Sequence, residues 1–510
     1  MKPCFFLGCC LMLAVTAAND TLRQVFILSR HGVRGPYGPD GLAPTEAALQ
    51  RYSKNKYPFP VTGTEWGTSD DATELVSPKI TKHGALVIQR MGEYFSKHLY
   101  PSIAESKCSD AMAYADRNER DYVTAQEFLR GFLPSCAALT PVTNGTRLLF
   151  EQGQDPTATC PTASEAVYSG IVGGDDASNV ARLYKPQVQA LNDLLDCCEP
   201  VVCGQNDTDT SGCDLFDVPS QWNGAFYDPW HDSLSESQFL SEWFLLQSLN
   251  NMSLPGSLNL DDVVQLGAIH KAHMDLVTNQ FNAENFGSTL LVHIVASMQQ
   301  TIQQTPVSLA SGDGPQLLQT LSNRFLFYAG HDINLLFLKN LLRLEWVTPN
   351  WLSNQPNPGS MLVFELHGYK NTSTLESDFY VQAYFVAASP LQIRTAATLT
   401  LDNPPDRVPV SIPHCSHDVL LADGSSAVRC NFTDFKKAAG HAIRQVCVSP
   451  TLAKYATSLL LPVPAASWGF KVVVVAVLSI ALLTVMWKYI TLLNTPKHGA
   501  DKYAKYTPLT

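Results

Sequence analysis

The sequence predicts an α/β fold: a core sheet flanked by helices and carrying a mostly helical insertion. Three observations predict it. Two short apolar runs, residues 25–28 and 325–329, each lead within three residues to a histidine with a glycine beside it. Further strand-like runs lie towards both ends of the chain, with helical periodicity clustered between them. The composition, 45% hydrophobic and 16% charged over 510 residues, is that of a globular chain with room for a large core and two domains.

The elements follow in order. Residues 21–35 read as a strand running into a loop. Residues 80–99 read as a helix, with Ile80, Leu86, Ile88, Met91, Phe95 and Leu99 at rough helical spacing. Residues 111–115 form a short strand, and 119–133 a helix. Residues 150–230 are rich in Gly, Asp, Cys and Pro and read as irregular, with a helical stretch at 186–195. Residues 170–176 are glycine-rich, but no lysine follows to make a phosphate loop, so they form a turn. Residues 238–249, 261–279 and 288–304 read as amphipathic helices. Residues 325–329, 361–366 and 379–385 are strands. There is no internal repeat and no long low-complexity segment.

Both ends carry targeting features. Lys2, an apolar stretch over 4–15 and the small residues Thr16, Ala17 and Ala18 read as a signal peptide over 1–18. Residues 472–487 are uncharged, and with Trp468, Gly469 and Phe470 they reach a membrane span if Lys471 snorkels. The expected organisation is a lumenal domain over 19–450, a linker over 451–467, a transmembrane helix over 468–490 and a tail over 491–510. Within the domain, the α/β core covers about 19–150 and 290–450, and a helical cap about 151–289. Lys488, Lys497, Lys502 and Lys505 against Asp501 put the tail in the cytosol. That makes a type I membrane protein with its bulk lumenal or extracellular. Tyr506 and Leu509 have the spacing that endocytic sorting adaptors read, which favours endosomes or lysosomes over the cell surface.

Sequons at Asn19, Asn144, Asn206, Asn251, Asn371 and Asn431 fit the secretory route. So do the thirteen cysteines, since Cys4, Cys9 and Cys10 lie in the signal and leave an even number behind. The adjacent pair Cys197-Cys198 lacks the gap of a zinc knuckle. A net charge of −11 argues against a nucleic-acid partner.

Three clusters carry chemistry. Arg30 and Arg34 flank His31, and guanidinium forks match phosphate oxygens. A neutral imidazole between them is a competent nucleophile. Gly32 lets the backbone turn sharply where the strand ends. In the second cluster, Asp332 follows His331 and can give a proton to a leaving oxygen. It is also suited to starting the helix that runs from Leu335. The third cluster is Asp116, Arg117, Asn118, Glu119 and Arg120, which on spacing alone also reads as a solvated charged turn.

Arg-His-Gly-x-Arg-x-Pro over 30–36, with the His331-Asp332 pair, resembles the histidine acid phosphatases. The likeness is closest to their periplasmic phytase and glucose-1-phosphatase branch. Residues 114–120, continuing through 131–136, and residues 244–247 resemble that branch in order and spacing. Coverage runs from about 21 to about 450. With signal, span and tail added, the chain resembles a membrane-bound acid phosphatase of this family.

The resemblance implies a phosphoglycerate-mutase-like core and hydrolysis of phosphate monoesters at acidic pH. It implies that His31 forms a phosphohistidine, that Arg30, Arg34, Arg120 and His331 hold the phosphate, and that Asp332 is the proton donor. Arg117 is the alternative to Arg120. No metal and no cofactor are implied, and a homodimer is one of the assemblies the family allows. His31 must be neutral to attack, and the surrounding cations push its pKa down. Asp332 must be protonated to donate, which an acidic lumen favours.

Departures narrow the substrate. Tyr37-Gly38 stand where phytases carry a polar residue and a lysine, and Ile333 stands where that branch has a small hydroxyl residue. A general phosphomonoesterase is therefore expected rather than a phytase. The resemblance also implies disulfides Cys108–Cys136, Cys160–Cys447, Cys203–Cys213 and Cys415–Cys430. Cys197 and Cys198 remain to bridge each other, bridge two chains or stay free. The alternative readings are a catalytically retired membrane receptor on the same fold and a phosphotransferase or mutase. The retired reading suffers because all six site residues are present.

Overall fold

The computed structural model describes residues 21–41, 43–143, 148–149, 160–205, 213–256, 258–307, 317, 319–369, 374–421, 424–460, 484, 486 and 488. The first part of the chain holds β1 (Thr21–Arg30), α1 (Glu46–Gln50), α2 (Gly63–Trp66), α3 (Lys82–Tyr94), α4 (Pro101–Ala104), β2 (Ala111–Ala115) and α5 (Glu119–Phe132). Next come α6 (Glu165–Val172), α7 (Ser178–Leu183), α8 (Lys185–Leu195), the short β3 (Gln221–Trp222) and β4 (Trp230–His231), α9 (Ser233–Leu249), α10 (Leu260–Val277), α11 (Gln280–Phe286) and α12 (Ser288–Gln303). The chain then returns to the sheet with β5 (Phe325–Gly330), α13 (Asp332–Leu342), β6 (Met361–Gly368), β7 (Phe379–Ala387), α14 (Pro390–Arg394), β8 (Asp406–Val410), β9 (Ser416–Leu420) and β10 (Ser426–Asn431). It ends with α15 (Phe432–Ala442) and α16 (Ala453–Leu460).

The main sheet runs β2-β5-β1-β6-β7-β10-β9, with β8 also paired to β7. Strands β2, β5 and β1 are mutually parallel, and β6 turns the sheet antiparallel. The parallel part is covered on both faces, which is why Val25 to Leu28 and Phe325 to Ala329 are continuous apolar runs rather than alternating ones. Stacked rings fill one layer: Phe128 lies 4.1 Å from Phe327, and Phe132 4.1 Å from Phe325, centroid to centroid.

Several elements depart from expectation. The helix expected over 80–99 begins after Thr81, whose hydroxyl accepts from Gly84 N, and widens into a π turn at Phe95–Leu99. The stretch expected to be irregular contains α6 and α7, too short for their periodicity to stand out. Gly170 is inside α6, which ends where Gly173 takes φ +68°, so the expected glycine-rich turn starts later. Helix α9 starts at Ser233 because Asp232 caps it, accepting from Leu234 N and Ser235 N. It is buried nearly all round rather than amphipathic.

Cystine pairs join Cys108 to Cys136, Cys160 to Cys447, Cys203 to Cys213 and Cys415 to Cys430. Cys197 and Cys198 bridge each other. Among the described residues no helix is long and apolar enough to cross a membrane. The expected signal, the sorting residues Tyr506 and Leu509, and most of the expected span lie outside those residues; Thr484, Met486 and Lys488 within that span are helical. Of the sequons, Asn251 is exposed and Asn431 half-buried, while Asn19, Asn144, Asn206 and Asn371 lie outside the described residues.

The loop after β1 is pressed against α3. Thr81 N donates to Val33 O at 3.0 Å, and Gly35 N to Lys79 O at 2.9 Å. A Cβ at Gly84 would collide with the Val33 backbone carbonyl, so only glycine lets helix and loop meet. Gly84→Ala is expected to lower stability by about 3 kcal/mol in chemical denaturation. It should also reduce activity, because Val33 lies between His31 and Arg34.

Candidate active site

Strand register assembles the site. Arg30 pairs with Gly330 and Ala115 with Ala329, so the carboxyl ends of β1, β5 and β2 lie side by side. The three clusters therefore meet at one edge, where open α/β sheets present ligand sites. Main-chain bonds lock the ends: His31 N donates to Gly330 O at 2.8 Å, Asp116 N to Ala329 O at 3.0 Å and Gly359 N to His31 O at 2.9 Å.

His31 is 3% exposed. Its Nδ1 lies 2.9 Å from Gly32 O. A carbonyl only accepts, so Nδ1 carries the hydrogen and Nε2 keeps its lone pair. Burial first, then Arg120, Arg30, Arg34 and His331, hold its pKa well below the ordinary 6.5. The neutral form is thus favoured, with burial the largest single cause.

Arg120 stands in that electrostatic neighbourhood, whereas Arg117 is exposed. Tyr37 covers the arginines, its ring centre 4.7 Å from the Arg34 guanidinium carbon and 5.8 Å from that of Arg120.

The imidazole of His331 is T-shaped to His31 at 5.7 Å. Its Nε2 meets Asp116 Oδ2 at 2.9 Å and Asp121 Oδ2 at 3.5 Å. Burial alone would lower its pKa, but Asp121 and Asp116 offset this and raise it above 6.5. His331 therefore tends to a cation beside a neutral His31. Asp116, Asp121 and His331 each offer a ligand atom within 4.8 Å of the others and could hold a cation. The Asp116 hydrogen bond already commits Nε2 of His331.

Asp332 is the first residue of α13. Its Oδ1 accepts from Ile333 N at 2.9 Å, and its Oδ2 lies 2.9 Å from Arg30 Nη2. Burial pushes its pKa up, but Arg30, His270 and His31 more than offset this and hold it well below the carboxylate range. The contact with Arg30 thus favours an ionised resting carboxylate, where a donor was expected to rest protonated.

Sequence reasoning passed over two residues here. Glu242 on α9 reaches Arg34 Nη2 at 2.9 Å and Arg30 Nη2 at 3.4 Å. Burial raises its pKa, yet Arg34, His270 and Arg30 bring it below 4.5 overall. His270 on α10 sets its Nε2 3.9 Å from both Asp332 Oδ2 and Glu242 Oε1. Glu242 lies just ahead of 244–247, and an acid amid the apolar run of Phe239, Leu240, Trp243, Phe244, Leu245 and Leu246 was the available signal.

A family model described as the histidine phosphatase superfamily (branch 2) matches residues 21–386. The chain belongs to this superfamily. Among its histidine phosphatase relatives, phytase AppA of Escherichia coli (strain K12) is 26% identical over 409 residues, spanning 77% of this chain and 87% of that protein. The glucose-1-phosphatase of Salmonella typhimurium is 23% identical over 424 residues, spanning 79% and 90%. The apo form of the Hafnia alvei phytase shares the fold, with TM-score 0.63 at 23% identity over 84% of this chain and 98% of that one.

The buried histidines of this phosphatase make its stability depend on pH. Burial holds His31 well below 6.5, His273 at about 4 and His293 at about 3. Below about pH 6.5 the unfolded chain takes up protons that these sites refuse, so stability falls with pH. Each contributes up to about 1.4 kcal/mol per unit. His331, shifted upward, works the other way until pH rises through its folded value. Urea midpoints should be lower at pH 5 than at pH 7, and His293→Gln should make that dependence shallower.

Proposed function

We propose that this histidine phosphatase hydrolyses phosphate monoesters at acidic pH through a phosphohistidine on His31, with Asp332 as the proton donor. The observation that carries the reading is the buried His31, its Nδ1 occupied by Gly32 O and its Nε2 left with a lone pair among Arg30, Arg34 and Arg120. The arginines and His331 would spread charge away from the transferring phosphoryl group, a task mainly of positioning and electrostatics.

An arriving phosphate competes with two carboxylates for the guanidiniums. Glu242 gives up Arg34 and Arg30, and Asp332 gives up Arg30. Asp332 thereby loses its cation and gains an anionic neighbour, both of which raise its proton affinity. The donor is loaded by substrate binding, and an acidic medium assists. Nε2 of His31 then attacks phosphorus while the leaving oxygen takes the Asp332 proton. Water reverses the sequence, with Asp332 accepting its proton.

Tyr37 supports substrates with a single phosphate over phytate. An aromatic ring packed on Arg34 and Arg120 offers no charge to a second phosphate. In this reading the catalytic unit is lumenal or extracellular, anchored by the expected span over 468–490 and sorted through Tyr506 and Leu509 to endosomes or lysosomes.

Full-length protein is expected to hydrolyse an aryl phosphate near pH 5 and to trap acid-labile phosphate on His31. His31→Ala should abolish both. Equal inactivity of wild type and variant would refute the reading. Glu242→Gln removes the resident competitor for the cradle, so inorganic phosphate should inhibit about tenfold more tightly; unchanged or weaker inhibition would contradict the competition.

A further inference from the structure

We propose that His270 is a positioning residue for Asp332, holding on Nε2 the proton that Asp332 passes to the leaving alcohol. The inference rests on the phosphomonoesterase reading above and adds a residue to it.

Helices α9 and α10 pack together and set Gln238 Oε1 3.0 Å from His270 Nδ1. An amide oxygen only accepts, so Nδ1 is the protonated nitrogen. In the neutral tautomer, Nε2 then carries a lone pair. That nitrogen is buried, and among the described residues it has no hydrogen-bond partner. What it faces is Asp332 Oδ2 and Glu242 Oε1, each at 3.9 Å.

A lone pair and two carboxylates converging in a dry site repel one another. One proton among the three relieves this: on Nε2 it is attracted to both acids. The site is therefore built around a proton that the resting Asp332, bonded to Arg30, does not keep. The charged or titratable groups around His270 are Glu242 on α9, Asp332 on α13, Arg30 behind both acids, and His273 on the next turn of α10. The imidazole of His270 is the one whose free nitrogen faces Asp332 at 3.9 Å, a small reorientation short of a hydrogen bond.

The cycle closes without a further reactant. When phosphate draws Arg30 away, His270 gives its Nε2 proton to Asp332 Oδ2. Asp332 passes it to the ester oxygen as the phosphorus–oxygen bond breaks and the His31 Nε2–phosphorus bond forms. In the second half, water bonds to phosphorus, the bond to His31 breaks, and the water proton goes to Asp332 and back to His270. The sum is ester plus water giving alcohol plus phosphate.

Leaving-group dependence separates this role from a structural one. An alkyl phosphate such as glycerol 2-phosphate needs a proton on its departing oxygen, whereas 2,4-dinitrophenyl phosphate does not. In the full-length protein, His270→Gln should lower the ratio of kcat/KM on the alkyl ester to kcat/KM on the dinitrophenyl ester, which reports the leaving-group step without the shared hydrolysis of the phosphohistidine, by about tenfold or more. Gln238→Leu, which frees the tautomer, should lower the same ratio less. Added imidazole should restore part of the alkyl activity of His270→Ala. Equal losses on both esters, or no loss on either, would overturn the assignment while leaving the phosphatase reading intact. A wild-type protein as inactive as His31→Ala on both esters would instead remove the reading beneath it.

Discussion

Everything at the site depends on the parallel pairing of β2, β5 and β1. These strands come from distant parts of the chain, yet their register fixes Arg30 opposite Gly330 and Ala115 opposite Ala329. A slip of one residue would turn each following side chain to the other face of the sheet. The continuous apolar runs resist such a slip, because both faces are covered and every displaced side chain would lose its packing. The rigidity is then passed to the loops by main-chain bonds from His31, Asp116 and Gly359. Close packing of the Val33 segment on Gly84 removes the remaining freedom.

On that frame, charge is arranged in opposed pairs. Arg30 and Arg34 are held by Glu242 and Asp332, and His331 by Asp116 and Asp121. Burying cations without such partners would be costly. The arrangement keeps the guanidiniums oriented and dehydrated before a ligand arrives. The same burial that keeps His31 neutral also makes the fold sensitive to acid, together with His273 and His293. Five cystines act against that sensitivity, and the bridge from Cys160 to Cys447 closes a segment of 287 residues.

What could be read from the sequence follows physical locality. Arg30, His31 and Arg34 lie within five positions, and His331 adjoins Asp332, so each cluster carries its chemistry in one short run. Strands β1, β2 and β5 were visible because fully buried strands are apolar throughout. Strands β8 and β9 were not: Pro409 interrupts one, and the other is a polar edge strand with little period-two signal. Glu242 and His270 stayed hidden for a different reason. Each is a polar residue on a helix, which ordinarily means a solvated face, and only the packing of α9 and α10 against each other beside Arg30, Arg34 and Asp332 turns them inward. The resting bond of Asp332 to Arg30 was equally illegible, since it joins residues 302 positions apart through strand pairing.

The bond from Glu242 to Arg34 and Arg30 has a consequence for turnover. Phosphate clasped by several guanidiniums leaves slowly if nothing takes its place. On the proposed phosphomonoesterase reading, the departing anion would be replaced by a carboxylate already tethered beside the cradle, so the arginines need not be rehydrated. Release would become an exchange rather than a dissociation into empty space. Helix α9 would then supply a built-in displacing ion, trading some affinity for substrate against faster escape of product.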